Sequence, residues 1–176
     1  MRRMTARALS LALTLVALAP TAAPAPQPRT RARRATQYGK VCPDPTAACP
    51  AGGMTFQPYD LPFRLPKNAV IYESEEFYAV VLKSVRVGSE DDCEKFVPED
   101  ERLAAQKLFP RRKVFASRCA EPGGLYYTNL APLQRVVAVY AGATRAEAVR
   151  ALAEVRATGK FPGANLRRMR AGVNGT

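Results

Sequence analysis

Gln134-Arg-Val-Val-Ala-Val-Tyr140, Thr144-Arg-Ala-Glu147 and Asn165-Leu-Arg-Arg-Met-Arg170 decide the fold of this chain, because together they spell strand, helix and strand with the punctuation in place. The first run is β-branched and apolar. In the second, the Thr144 hydroxyl can accept from the third helical N–H while Glu147 reaches back to the N–H of the cap, which is a capping box. Ala148, Val149, Leu152 and Val155 then recur at helical spacing. Gly159 is placed as the left-handed stop, Pro162-Gly163 turns the chain, and the third run is extended.

The same order of elements recurs upstream. Phe77-Tyr-Ala-Val-Val-Leu-Lys-Ser-Val-Arg-Val87 reads as a strand and residues 88–95 as an acidic loop. Pro98 suits the first helical position, with Glu99, Asp100 and Glu101 set against the positive end of the helix dipole. Leu103, Ala104, Leu108 and Phe109 give that helix an apolar side, and Pro110 ends it. Lys113-Val-Phe-Ala-Ser-Arg118 is a second strand. Gly123-Gly124, before Leu125-Tyr-Tyr-Thr-Asn-Leu130, suggests a hairpin extension of it. Strand–helix–strand occurs twice. The expected fold class is therefore α+β: a ferredoxin-like, RNP-like βαββαβ sandwich over residues 69–173, one antiparallel sheet backed by two helices. Alternation turns Phe77, Ala79, Val81, Val137 and Val139 toward the helices. It leaves Tyr78, Val80, Leu82, Val136, Ala138 and Tyr140 on the other face.

Residues 1–23 read as a secretory signal peptide: Arg2, Arg3 and Arg7, then a short apolar run, then small residues. That run is short for a bilayer span, so an uncleaved anchor is the lesser alternative. Residues 24–40 are rich in Pro and Arg and carry no acid, which predicts a disordered basic linker. Such a linker is either a solvated tail or a tether to an anionic polymer or membrane face. Residues 41–68 are a Pro- and Gly-rich arm bearing Phe56, Tyr59, Leu61, Phe63 and Leu65. Pro58, Pro62 and Pro66 preclude a helix there. The arm is expected to dock on its own domain, with partner recognition as the alternative.

Cys42, Cys49, Cys93 and Cys119 are an even set behind a signal peptide, so two bridges are expected, and four cysteines allow three connectivities. Cys42–Cys49 and Cys93–Cys119 is the favoured pairing. On the loop-entropy argument the bridges contribute about 2.5 and about 3.5 kcal/mol. A zinc site is the weaker reading, because no Cys-x-x-Cys pair and no His occur.

The run from Val136 to Arg156 with Thr144-Arg-Ala-Glu-Ala148, followed by residues 159–169, resembles the second half of a SPOR domain. Residues 77–84 and the helix after Pro98 are similar to its first half. SPOR domains are exported bacterial modules that bind peptidoglycan glycan strands through the sheet face. The resemblance implies a glycan-binding set of Tyr78, Tyr140, Arg118, Arg135 and Arg168, with the tyrosine rings against sugar faces. Val81-Leu-Lys-Ser84 and Val139-Tyr-Ala-Gly142 depart from the Val-Gly-Ser/Pro-Phe strand ends usual in that family. The exposed face would also be more apolar than a glycan groove, so either the arm or an apolar partner covers it.

Catalytic signals are thin. Without His there is no Ser-His or Cys-His centre, and bridged cysteines leave no thiol nucleophile. Lys83 and Ser84 are strand neighbours pointing to opposite faces. Glu73, Glu75 and Glu76 could serve as acid and base in glycan hydrolysis but read better as a solvated turn. Glu90, Asp91, Asp92 and Glu94 lack the EF-hand spacing for calcium. Gly123-Gly124 precedes no helix start and is no phosphate loop. Asn174-Gly-Thr176 matches the glycosylation pattern by chance. The net charge of +12 would permit nucleic acid, but an exported chain makes that a poor explanation. Basic residues after Arg102 face either anionic glycans or the acidic stretch from Glu73 to Glu101. The expectation is a monomeric, non-catalytic module without cofactor or stable membrane span, exported to the bacterial periplasm or beyond. Its partner is peptidoglycan glycan strands or, with a closed groove, another envelope protein.

Overall fold

A computed structural model of the chain describes residues 38–119 and 124–174. The expected signal peptide and almost all of the linker lie outside the described residues. Tyr38, Gly39 and Lys40, assigned above to the linker, are part of the folded unit: Gly39 forms a parallel bridge with Ser74.

Among the described residues, in chain order, are β1 (Ile71–Glu73), β2 (Phe77–Arg86), α1 (Glu99–Leu108), β3 (Val114–Ala116), β4 (Leu125–Tyr127), β5 (Gln134–Gly142), α2 (Arg145–Ala157), β6 (Asn165–Met169) and β7 (Ala171–Asn174). The class is α+β. β3, β5, β2 and β6 form one sheet in that order, and β1, β7 and β4 a second, all neighbours being antiparallel. The single expected sheet is thus two. The chain leaves the first at Met169 and enters the second at Ala171. β4 does not extend a hairpin from β3; it pairs with β7 instead. Gly172 makes that pairing fit, since a Cβ there would lie 2.2 Å from the Tyr126 ring.

The local signals act as read. Thr144 caps α2: its hydroxyl accepts from the Glu147 N–H, and the Glu147 carboxylate accepts from the Thr144 N–H at 2.9 Å. Gly142 lies at φ 127°, where a side chain would also collide with Glu147. Gly159 follows the helix at φ 66°. Pro98 sits one residue earlier than expected, as the cap of α1.

The β3, β5 and β2 part of the four-stranded sheet is packed on both faces, while β6 leaves Asn165, Arg167 and Arg168 exposed. Val80, Leu82, Val114, Val137 and Val139 pack beneath α1 and α2 against Ala105, Phe109, Ala148, Ala151 and Val155. Phe77, Ala79, Val81, Phe115, Val136 and Ala138 lie on the opposite face with Val41, Leu61, Phe63 and Leu65 of the arm and Ala171 and Val173 of β7. Leu61 and Phe63 are 0% exposed. Each such aliphatic or aromatic side chain contributes roughly 1.5–3 kcal/mol by leaving water.

The expected face assignment is inverted along β2. Val80 and Leu82 face the helices, while Phe77, Ala79 and Val81 face the arm. The apolar run Phe77–Leu82 carries no in–out signal, and a one-residue error exchanges its faces. Two bulges add to the shift. β2 pairs Val81 with Ala138 and Lys83 with Val137, and it pairs Tyr78 with Gly142 and Ala79 with Tyr140, leaving Leu82 and Ala141 as extra residues.

Candidate functional site

The strand ends gather two of the expected site residues in one place. Beyond β3, Ser117 donates its N–H to the Val136 carbonyl at 2.9 Å, and its hydroxyl accepts from the Val136 N–H at 2.8 Å. That pairing sets Arg118 and Cys119 beside Arg135 of β5. The Cys93–Cys119 bridge, with Cα atoms 5.2 Å apart, ties the acidic loop to this point. Cys42–Cys49, at 5.8 Å, closes the arm loop, so both bridges follow the favoured pairing.

Two cavities flank the Cys93–Cys119 bridge. One, of about 410 Å³, is lined by Glu90, Asp91, Ser117, Tyr126, Leu130 and Arg135, among others. The other, of about 300 Å³, is lined by Gln57, Tyr59, Asp60, Ala116 and Leu125. Arg118 and both cysteines belong to the two alike.

The two arginines differ in their partners. Arg118 is held between Phe96 and Tyr59, 3.8 and 4.4 Å from the ring centres, and pairs with Glu99 at 3.1 Å. Glu99 also takes the buried Arg102, whose hydrogen bonds, chiefly, hold the Glu99 carboxyl below its ordinary pKa. Arg135 is 8% exposed and has no carboxylate within 4.0 Å among the described residues. It donates to the Pro132 carbonyl at 3.1 Å and the Glu90 carbonyl at 2.9 Å, and its Nη2 lies 3.7 Å from Cys119 Sγ. Its Nε is buried and meets no acceptor among the described residues.

Burial also shifts the titration of three further groups, Asp60, Lys113 and Tyr127. Burial raises the pKa of Asp60, which accepts from the Gln57 N–H at 2.7 Å. Burial lowers that of Lys113, which donates to the Pro58 carbonyl at 2.8 Å. Burial raises that of Tyr127 well above 10.

The remaining expected site residues lie apart. Tyr78 packs on the helix side, opposite Arg168 of β6, and Tyr140 packs on the arm side, 5.9 Å from the Phe77 ring. The premise that both tyrosines share one face is therefore corrected: Tyr140 pairs with Ala79 and shares its arm-side face, and Tyr78, one residue earlier on β2, takes the opposite face. Arg168 pairs with Glu76, and Arg170 reaches Glu73 at 4.0 Å. With Arg118–Glu99, these pairs join the basic second half to the acidic first half. Sequence reasoning missed Phe96, Tyr59 and Glu99 as the setting of Arg118, because they come from the loop, the arm and α1. The adjacency of Arg118 to Cys119 was the signal available.

Among the described residues no three acids or cysteines group as metal ligands, and no helix is long and apolar enough to cross a membrane. Compared with known proteins, the chain matches no family model, no curated protein and no solved structure.

Proposed function

We propose that the chain is an exported, non-catalytic interaction protein of the bacterial cell envelope, with another envelope protein as partner. In this reading its frame is ferredoxin-like and SPOR-type, and the sheet face is closed by its own arm. The frame is supported by the order β2–α1–β3–β5–α2–β6 and the strand order β3–β5–β2–β6. Export is supported by the two bridges, which persist in oxidising compartments. The observation that carries the closed groove is the complete burial of Leu61 and Phe63 on the sheet face opposite the helices. Glycan binding through that face would require the arm to leave, and no observation favours it.

Sedimentation with purified sacculi, with and without amidase stripping of the stem peptides, tests the reading. The protein is expected to stay in the supernatant in both arms. Enrichment on stripped sacculi would establish glycan binding and overturn the closed groove.

A further inference from the structure

We propose that Cys93–Cys119 is a thiol-exchange site that captures a cysteine-bearing exported protein as a mixed disulfide, with Cys93 attacked and Cys119 leaving. The inference goes beyond the closed groove and does not depend on it.

The two sulfurs are unequal. Cys93 is exposed on the acidic loop, whereas Cys119 is half-buried beyond β3. An incoming thiolate therefore reaches Cys93 first. The partner's thiolate forms a bond to Cys93 Sγ, the Cys93–Cys119 bond breaks, and its electron pair stays on Cys119 as a thiolate. The partner thiol is oxidised into the mixed disulfide, Cys119 is reduced, and no proton or further oxidant is needed.

The leaving thiolate has a counter-charge in place. A guanidinium stays charged inside a protein. Arg135 has no carboxylate partner among the described residues, and its Nη2 stands 3.7 Å from Cys119 Sγ. A buried guanidinium without an anion is costly. Opening the bridge supplies the anion at that spot, and an adjacent guanidinium stabilises a thiolate. Arg118 is nearby but committed to Glu99. Glu90 and Asp91 of the loop line the same cavity and oppose the effect, so Arg135 is the group that decides it. Cys42–Cys49 is set in the arm loop and lines neither cavity beside the Cys93–Cys119 bridge, which makes it an internal control.

The test is titration of the full exported protein with reduced glutathione at pH 7, read by peptide mapping. Cys93–Cys119 is expected to open at a roughly ten-fold lower concentration than Cys42–Cys49, with glutathione on Cys93. Arg135→Gln should remove most of that difference and Arg135→Lys should restore it. Simultaneous opening of both bridges, an adduct on Cys119, or an unchanged Arg135→Gln variant would overturn the proposal. Should Arg135→Gln fail to fold, the alkylation rate of Cys119 against pH in Cys93→Ser decides. An apparent pKa below the ordinary thiol value of roughly 8.5 supports the site, and one at or above it refutes it.

Discussion

The backbone N–H of Leu61 donates to the Tyr127 hydroxyl at 2.9 Å, joining the arm to β4 across 66 residues of sequence. The bond lies in the cluster that covers the non-helical sheet face, where the Tyr127 ring also stacks 4.9 Å from Phe115. A buried N–H in an irregular arm has no ladder partner, so the hydroxyl satisfies it. Tyr127→Phe keeps the ring and strands that donor. It is expected to cost about 1–3 kcal/mol in denaturant titration. An unchanged midpoint would mean that the arm is not held there.

Tyr78 and Tyr140 belong to different clusters, and both are half-buried. Each Tyr→Ala change is expected to destabilise by about 2 kcal/mol, less than a fully buried ring would. Because the rings lie on opposite faces, the double variant should show a coupling under about 0.5 kcal/mol. A strong coupling would return the two rings to one shared surface.

Thr144→Ala removes the hydroxyl that accepts from Glu147 N–H, and it should lower stability by about 1 kcal/mol. Gly142→Ala should cost more, because φ 127° and the 2.4 Å approach to Glu147 Cβ act together. Equal midpoints for the two variants would count against the packing between Gly142 and the cap.

Asp60 gives a pH test. Burial raises its folded pKa above the unfolded value, so its contribution is fully present at low pH and is lost as pH rises through the folded pKa. Asp60→Asn keeps an acceptor for the Gln57 N–H and removes this dependence. The variant should be more stable than the parent at pH 7, with the gain fading as pH falls toward about 4. A gain that grows with acidification would contradict the sign.

What the sequence carried, it carried locally. The start and stop of α2 sit in Thr144, Glu147 and Gly159, whose capping and left-handed preferences need no distant partner. The same is true of Pro98 and its acidic first turn in α1. Two disulfides could be paired because the Cys42–Cys49 loop is short and the remaining cysteines then had one choice. The expectation of a glycan face includes Arg118 and Arg135. Their meeting beside Cys119 follows from the register at Ser117 and Val136.

The amino-acid sequence by itself determined the α+β class, both helices and the apolar content of the arm, and it favoured the cysteine pairing that the structure shows. The tertiary structure alone decided which face of β2 meets the helices, that the chain leaves the first sheet after β6 to build a second through β7, and that the arm packs on the remaining face. The reason is physical: caps and turns are chosen by interactions within a few residues. A run apolar on both sides, such as Phe77–Leu82, takes its register only from the partners that finally bury it.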